Sequence, residues 1–480
     1  MSPVRKSGKS RRAAARRGAK PPRKPARGPA VAEAHLPQEA EMRRLAERIL
    51  RLSGDADETE VEIIAGADAL TRFANNVVHQ NVAEKSLAVS VRTVFDGRTA
   101  RATTNKTDED SLRRVVAASG ALARSQPKNP DLLPMPGAQK YARVNRYIPE
   151  TAAATPRERA KAVAEVCALA GKNKQTAAGI YATGASAMLL ANSAGLHAAY
   201  RQTHAEFSIT IMESDSSGWA KAGDPDIGHV NPLELAAEAS GKSIHSRHPR
   251  EVDPGRWTVI LEPSAVLDLV GFLFYDFAGT AVLDQRSCFN DRMGKKVMGE
   301  NITLHDDFSH PLQSGPAFDG EGMPRQKVLL VDRGVPRNLV YSRATAKKMK
   351  ARPTGHSFPL PTLDGEAPVN LVLQGGNTSV EDMVASTGRG ILVTRLWYIR
   401  EVDPYEKVLT GMTRDGTFLV EGGKVVAGVR NFRFNESLLE MLSNVEQLGP
   451  AVRSAGEESF EMVVPAMKVN NFHFTEVTRF

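Results

Sequence analysis

Tight-turn signals between apolar strands recur along this sequence, and they constrain the fold more than any other feature. Asp96-Gly97, Asp332-Arg333-Gly334 and Gly422-Gly423 each separate runs of strand-forming residues. A turn this short returns the chain antiparallel to itself, because a parallel neighbour needs a crossover of a dozen or more residues. Val61 and Ile63, then Leu87, Val89 and Val91, alternate as half-buried strands do, and residues 98–103 supply the return limb after Asp96-Gly97. Residues 177–183, 187–192 and 196–212 predict an antiparallel meander. Residues 391–399 form a long apolar strand, and residues 460–464 and 471–480 read as closing strands. Strands outnumber helices, so the expected class is α+β: two domains with mostly antiparallel sheets and packed helices.

The helices announce themselves by stripes and caps. Over Glu39–Leu52, the residues Met42, Leu45, Ile49 and Leu52 share one face. Thr107 precedes an acidic turn and a stripe of Leu112, Val115, Val116 and Leu122. Thr155-Pro156-Arg157-Glu158 and Asn231-Pro232-Leu233-Glu234 place cap, proline and carboxylate in the order that satisfies the free N–H groups of a first turn. Short helices follow Ser342 and Thr378, and another covers residues 436–445. Residues 126–149 carry five prolines and form a crossing loop. A polar, Pro-containing stretch at residues 244–254 marks a boundary. The expected division is a disordered basic tail over residues 1–37, an N-terminal α+β domain over residues 38–250 and a β-rich C-terminal domain over residues 251–480.

Charge is unevenly placed. The chain has a formal charge of +8, yet eleven of its 63 basic residues and no acidic one lie in residues 1–31. The remaining 52 basic residues face 55 acidic ones, so the body is slightly acidic, at −3. The tail, lacking large apolar residues, reads as a solvated extension or as a weak, salt-sensitive contact for nucleic acid or another polyanion. It lacks the apolar core of a signal peptide, and no run of eighteen apolar residues exists to span a membrane. Two cysteines, Cys167 and Cys288, lie far apart, which suits a reducing cytoplasm.

Hydrolytic motifs are missing. None of the eleven histidines stands in His-Glu-x-x-His or His-Glu-x-x-x-His; the nearest approach, His245-x-x-His248 followed by Glu251, reads as part of a loop. There is no Gly-x-Ser-x-Gly elbow for a serine nucleophile. Residues 258–261 read as a buried strand and Glu262-Pro263 as a turn. A helix with proline at its first position then runs over residues 264–277.

Four segments carry a family resemblance: residues 70–76 (Leu-Thr-Arg-Phe-Ala-Asn-Asn) with His79-Gln80-Asn81 behind them, residues 191–195 (Ala-Asn-Ser-Ala-Gly), residues 316–322 (Pro-Ala-Phe-Asp-Gly-Glu-Gly) and residues 409–418 (Leu-Thr-Gly-Met-Thr-Arg-Asp-Gly-Thr-Phe). In that order, with residues 193–212 and 393–404, they resemble the TldD/PmbA family of zinc peptidases from about residue 38 onward. The resemblance implies a zinc-binding helix with His-Glu-x-x-x-His in the catalytic branch. Anchored on Glu262-Pro263, those three places fall on Gly271, Phe272 and Asp276. The catalytic branch also has a cysteine near a Gly-rich stretch, and the comparable Gly375-Gly376-Asn377 has none.

The chain therefore looks like the TldE (PmbA) branch, which lacks the metal helix. What this implies is a cytoplasmic peptidase subunit without its own catalytic residues, metal or cofactor, which supports a zinc-bearing TldD-like partner in a heterodimer and acts on unfolded peptides. A homodimer is the other assembly. Candidate substrate or partner contacts are Arg72, Asn75, Asn76, His79, Asn81, Asp319, Glu321, Thr413, Arg414 and Asp415. Asn and Asp-Gly steps also favour turns for local reasons. Two alternatives stand beside this reading: a homodimeric binding protein that uses the basic tail on nucleic acid, and a divergent metal-dependent hydrolase built on Asp306, Asp307 or Asp319.

Overall fold

Two residues set the longest hairpin. Asn75 and Asn76 sit at φ 51° and 60°, the left-handed pair that a two-residue turn needs if its twist is to match the strands. They join β1 (Glu58–Ala74) to β2 (Val77–Phe95) in the computed structural model, which describes residues 36–456 and 460–478. The Asp96-Gly97 turn, at φ 49° and 73°, then returns β2 into β3 (Arg98–Thr104).

With β4 (Thr176–Asn192), β5 (His197–Met212) and β6 (Ser217–Asp224), these strands form an antiparallel sheet in the order β3-β2-β1-β4-β5-β6. The two strands expected over residues 177–183 and 187–192 are one, because residues 184–186 also pair in register with both β1 and β5. One face of this sheet is apolar. Val61, Ile63, Val89 and Leu189 pack on α1 (Glu39–Leu52) and α2 (Glu109–Ser125). Phe73, Phe207 and Ile209 pack among Val163, Val166 and Ala170 of α4 (Pro156–Lys172) and Ala236 and Ala239 of α5 (Pro232–His245).

The caps of α4 and α5 are those the sequence predicts: Thr155 and Glu158 close a capping box, and Asn231 accepts from the Leu233 and Glu234 N–H groups. For α2 the cap is Asp108, not Thr107, since the carboxylate one residue on reaches the Ser111 N–H. His245 is the last residue of α5 and not part of a loop. A single helical turn, α3 (Pro149–Ala152), ends the Pro-rich crossing loop.

The second half holds two sheets. The smaller has the order β10-β9-β8-β11-β18-β17, from β8 (Leu304–Asp306), β9 (Val328–Asp332), β10 (Val335–Pro336), β11 (Leu371–Leu373), β17 (Val452–Ser454) and β18 (Met462–Val464). The larger runs β12-β7-β19-β15-β13-β14, from β7 (Gly255–Leu261), β12 (Arg389–Asp403), β13 (Val408–Glu421), β14 (Lys424–Gly428), β15 (Phe432–Ser437) and β19 (Met467–Val477). Because β12 also pairs with β13, five of these strands return on themselves as a closed ring. Closure removes two edges, and it needs sharp bends. They fall at the register shifts between β12 and β13, where Tyr398, Asp415 and Gly416 have φ of 56°, 51° and 132°.

β16 (Val445–Leu448) adds to β19. The helix expected over residues 436–445 is shorter: Glu436 lies within β15, Ser437 ends that strand and caps α10 (Leu438–Ser443), and Val445 begins β16. The short helices after Ser342 and Thr378 are α8 (Arg343–Met349) and α9 (Val380–Ala385). Among the described residues no helix is long and apolar enough to cross a membrane. The basic tail lies outside the described residues.

Candidate functional site

The segment after β7 is built to bury a helix. Thr258-Val-Ile-Leu261 enters the core, Glu262 turns the chain at φ −65°, ψ 160°, and Pro263 supplies the preset first helical position. Glu262 does not cap the helix with its side chain; its carboxylate lies 2.7 Å from Lys242 Nζ. The helix α6 (Pro263–Val270) packs against β12, β17 and β18, and Ala265 to Val270 are all buried. It stops earlier than the expected residue 277. From Gly271 the backbone tightens into two 3-10 turns, Gly271–Leu273 and Tyr275–Phe277. Glycine supplies no side chain there to hold the α-turn against a neighbour.

Gly271, Phe272 and Asp276 line one cavity of about 1000 Å³, whose wall also includes Phe274, Tyr275, Tyr405 and Phe460. Asp276 is buried in its floor. One oxygen, Oδ1, accepts the Cys288 N–H at 2.7 Å, and the Ser287 hydroxyl donates to the Asp276 carbonyl at 2.7 Å. The other, Oδ2, lies 2.5 Å from Lys407 Nζ, which is also 2.5 Å from Glu401 Oε1. Burial works against the Lys407 charge, but Asp276 and Glu401 outweigh it and hold its pKa above the ordinary lysine value. Burial, and then the Asp276 carboxylate beside it, push the Cys288 thiol up, which keeps it protonated at neutral pH.

This donor set does not fit zinc. The ion needs several imidazole or anionic ligands converging on one point, whereas Gly271 offers nothing, Phe272 a benzyl ring, and Asp276 is engaged by an ammonium. Among the described residues no group of three or more His, Cys, Asp or Glu side chains stands where it could hold a metal. Sequence reasoning reached Gly271, Phe272 and Asp276 but missed Lys407 and Glu401. Glu401 stands near the end of β12 and Lys407 on the turn into β13, more than a hundred residues away, and no local motif connects them to α6.

The other candidate residues fall in three separate places. At the β1–β2 hairpin, Asn75 and Asn76 make the turn, and Asn76 is pinned by donating to the Gln175 carbonyl at 2.8 Å and accepting the Ala177 N–H at 2.7 Å. Asn81 accepts from Thr71 Oγ1 at 3.3 Å, while Arg72 and His79 are exposed. In the second place, Asp319 is buried and accepts three backbone N–H groups, those of Glu321, Met323 and Ser357, each at 2.9 Å. Glu321 pairs with Arg343 at 3.3 Å. Nearby, Asp306 is taken up by His356 Nε2 at 2.9 Å and by the Asn370 N–H at 2.8 Å, and Asp307 by Lys327 at 2.8 Å.

The third place is the β12–β13 bend. Thr413 accepts the Phe432 N–H at 3.0 Å, and Asp415 binds Arg395 Nε at 3.0 Å and Ser217 Oγ at 2.6 Å. Arg414 and Asp415 line a second cavity, of about 600 Å³, with Glu213, Ser217 and Arg430.

Residues 254–476 match the PmbA/TldA metallopeptidase C-terminal domain, and residues 59–123 match the PmbA/TldA metallopeptidase domain 1. A metalloprotease of Methanocaldococcus jannaschii is 25% identical over 228 residues, 45% of this chain and 48% of that protein. A metalloprotease of Methanothermobacter thermautotrophicus is 22% identical over 285 residues, covering 55% and 60%. The chain thus matches about half the length of these relatives.

In fold it resembles TldE from Thermococcus kodakarensis, with a TM-score of 0.83 at 20% identity over 90% of this chain and 100% of that one. A proposed modulator of DNA gyrase from Thermotoga maritima gives 0.81 at 18% identity, covering 90% and 100%. Two matched domains, sequence similarity to metalloproteases and the same fold lead to one conclusion: the chain belongs to the TldD/PmbA metallopeptidase family.

Proposed function

We propose that this chain is the TldE-like, zinc-free subunit of a cytoplasmic two-component peptidase. It pairs through residues 251–480 with a TldD-like chain that brings the metal, and together they enclose an extended peptide. The observation that carries this reading is the lining of the cavity of about 1000 Å³, which has glycine at Gly271, a benzyl ring at Phe272 and an aspartate, Asp276, paired with Lys407. The fold likeness to a protein named TldE supports it. Main-chain pairing to sheet edges would recognise unfolded segments with little sequence preference.

The test is reconstitution: an unstructured peptide is incubated with this chain, with a TldD-like chain from the same genome, and with both. Cleavage is expected only in the mixture or far faster there. Chelator-sensitive cleavage by this chain alone would refute the assignment.

A further inference from the structure

We propose that Lys407 is a built-in cation, whose ammonium fills the point where Asp276 and Glu401 converge on the cavity floor and does there, by charge alone, what a bound metal ion would otherwise do. The inference does not depend on the identity of a partner or substrate.

Three observations carry it. First, the ammonium stands 2.5 Å from a carboxylate oxygen of each of two residues, Asp276 and Glu401, which approach it from different elements. A carboxylate as buried as Asp276 demands a counter-charge, and removing the partner of a buried pair is far more costly than never having built it. Second, the lysine is aimed, not loosely placed. Its backbone lies at φ 52°, a conformation disfavoured for any residue with a Cβ, and the surrounding turn holds it there. Asp403 Oδ1 accepts the Tyr405 and Glu406 N–H groups at 2.8 and 2.9 Å, Arg292 grips Glu406 at 2.7 Å, and the Leu438 N–H donates to the Lys407 carbonyl at 2.9 Å. Third, the neighbouring Cys288 is fixed by donating its N–H to Asp276, so three chain segments meet at this one ion pair.

A divalent ion and an ammonium compete for the same oxygens, so the lysine closes the site to metals while keeping the cavity floor in place. It would also explain how the fold persists without the ion its relatives are named for.

A charge cycle tests this. Lys407→Met keeps an unbranched apolar stem one atom shorter and removes the charge; its unfolding midpoint is expected to fall by several degrees, and millimolar manganese is expected to restore part of the loss. The wild-type midpoint is expected to stay unmoved by manganese. In the double variant with Asp276→Asn, which removes both charges, the midpoint is expected to recover toward wild type with no manganese response. If Lys407→Met is too unstable to purify, recovery of folded, soluble protein in the double variant gives the same result. The proposal is overturned if Lys407→Met melts with the wild type, if the double variant recovers nothing, or if manganese moves wild type and Lys407→Met alike.

Discussion

Glu436, at the end of β15, should make this protein less stable as the pH rises through neutrality, and replacing it with glutamine should remove the effect. Burial pushes its carboxyl up from the ordinary 4.5 to about 7, with the carboxylate of Glu440 adding to the rise, while the His473 N–H at 2.7 Å and Arg256 oppose it. Between those two values the folded chain holds a proton that the unfolded chain has released. The folded state therefore binds more protons, and stability falls with increasing pH across that window. Below pH 4.5 both states are protonated and the group is neutral in its effect.

The gap of about 2.5 between the values corresponds to roughly 3 kcal/mol once the pH exceeds 7, at about 1.4 kcal/mol for each unit. Glutamine keeps an oxygen to accept from His473 and never ionises. Glu436→Gln should match the wild type near pH 4.5 and exceed it by roughly 3 kcal/mol at pH 8. Denaturant titrations of both proteins from pH 4.5 to 8 measure the difference, in which the titrations of all other groups cancel. Parallel stability curves would show that Glu436 ionises freely in the folded state and that the burial argument fails.

Further outcomes are expected elsewhere in the fold. Asp319→Ala strips the acceptor from three backbone N–H groups and should cost roughly 3 kcal/mol or more, while Asp319→Asn, which keeps one accepting oxygen, should cost less; denaturant midpoints rank the two. Glu60→Gln weakens a pair with Arg92 at 2.9 Å and Arg101 at 2.6 Å, both poorly accessible to water. Leaving those guanidinium charges short of a partner should lower stability by about 3 kcal/mol in thermal or denaturant unfolding. Gly334→Ala puts a methyl group 2.2 Å from the Met298 carbonyl oxygen at a φ of 80°. It should destabilise the β9–β10 turn by more than the roughly 1 kcal/mol of backbone strain alone, read as a lower melting temperature.

Local signals carried much of this architecture. Asp96-Gly97 and Arg333-Gly334 are turns because their backbones enter the left-handed region, and Thr155 and Asn231 cap helices by chemistry confined to four residues. At the β1–β2 hairpin, Asn76 is held by the turn and its anchor to β4, while Arg72, Asn75, His79 and Asn81 are exposed.

What the sequence hid was long-range. Closure of the β12-β7-β19-β15-β13 ring depends on which strand edges meet, and only the bends at Tyr398 and Asp415-Gly416 hint at it. The residues Gly271, Phe272 and Asp276 were reached from a single alignment anchor, Glu262-Pro263. The replacement cation was not, because Lys407 reaches Asp276 from a different part of the chain.

The most direct test of the central claim is the metal content of the purified, tag-free wild-type chain after dialysis against excess zinc, measured by elemental analysis alongside protein concentration. The account predicts far less than one zinc per chain and no change in stability on adding a chelator. One tightly held zinc per chain, lost on substitution of Asp276, would contradict it.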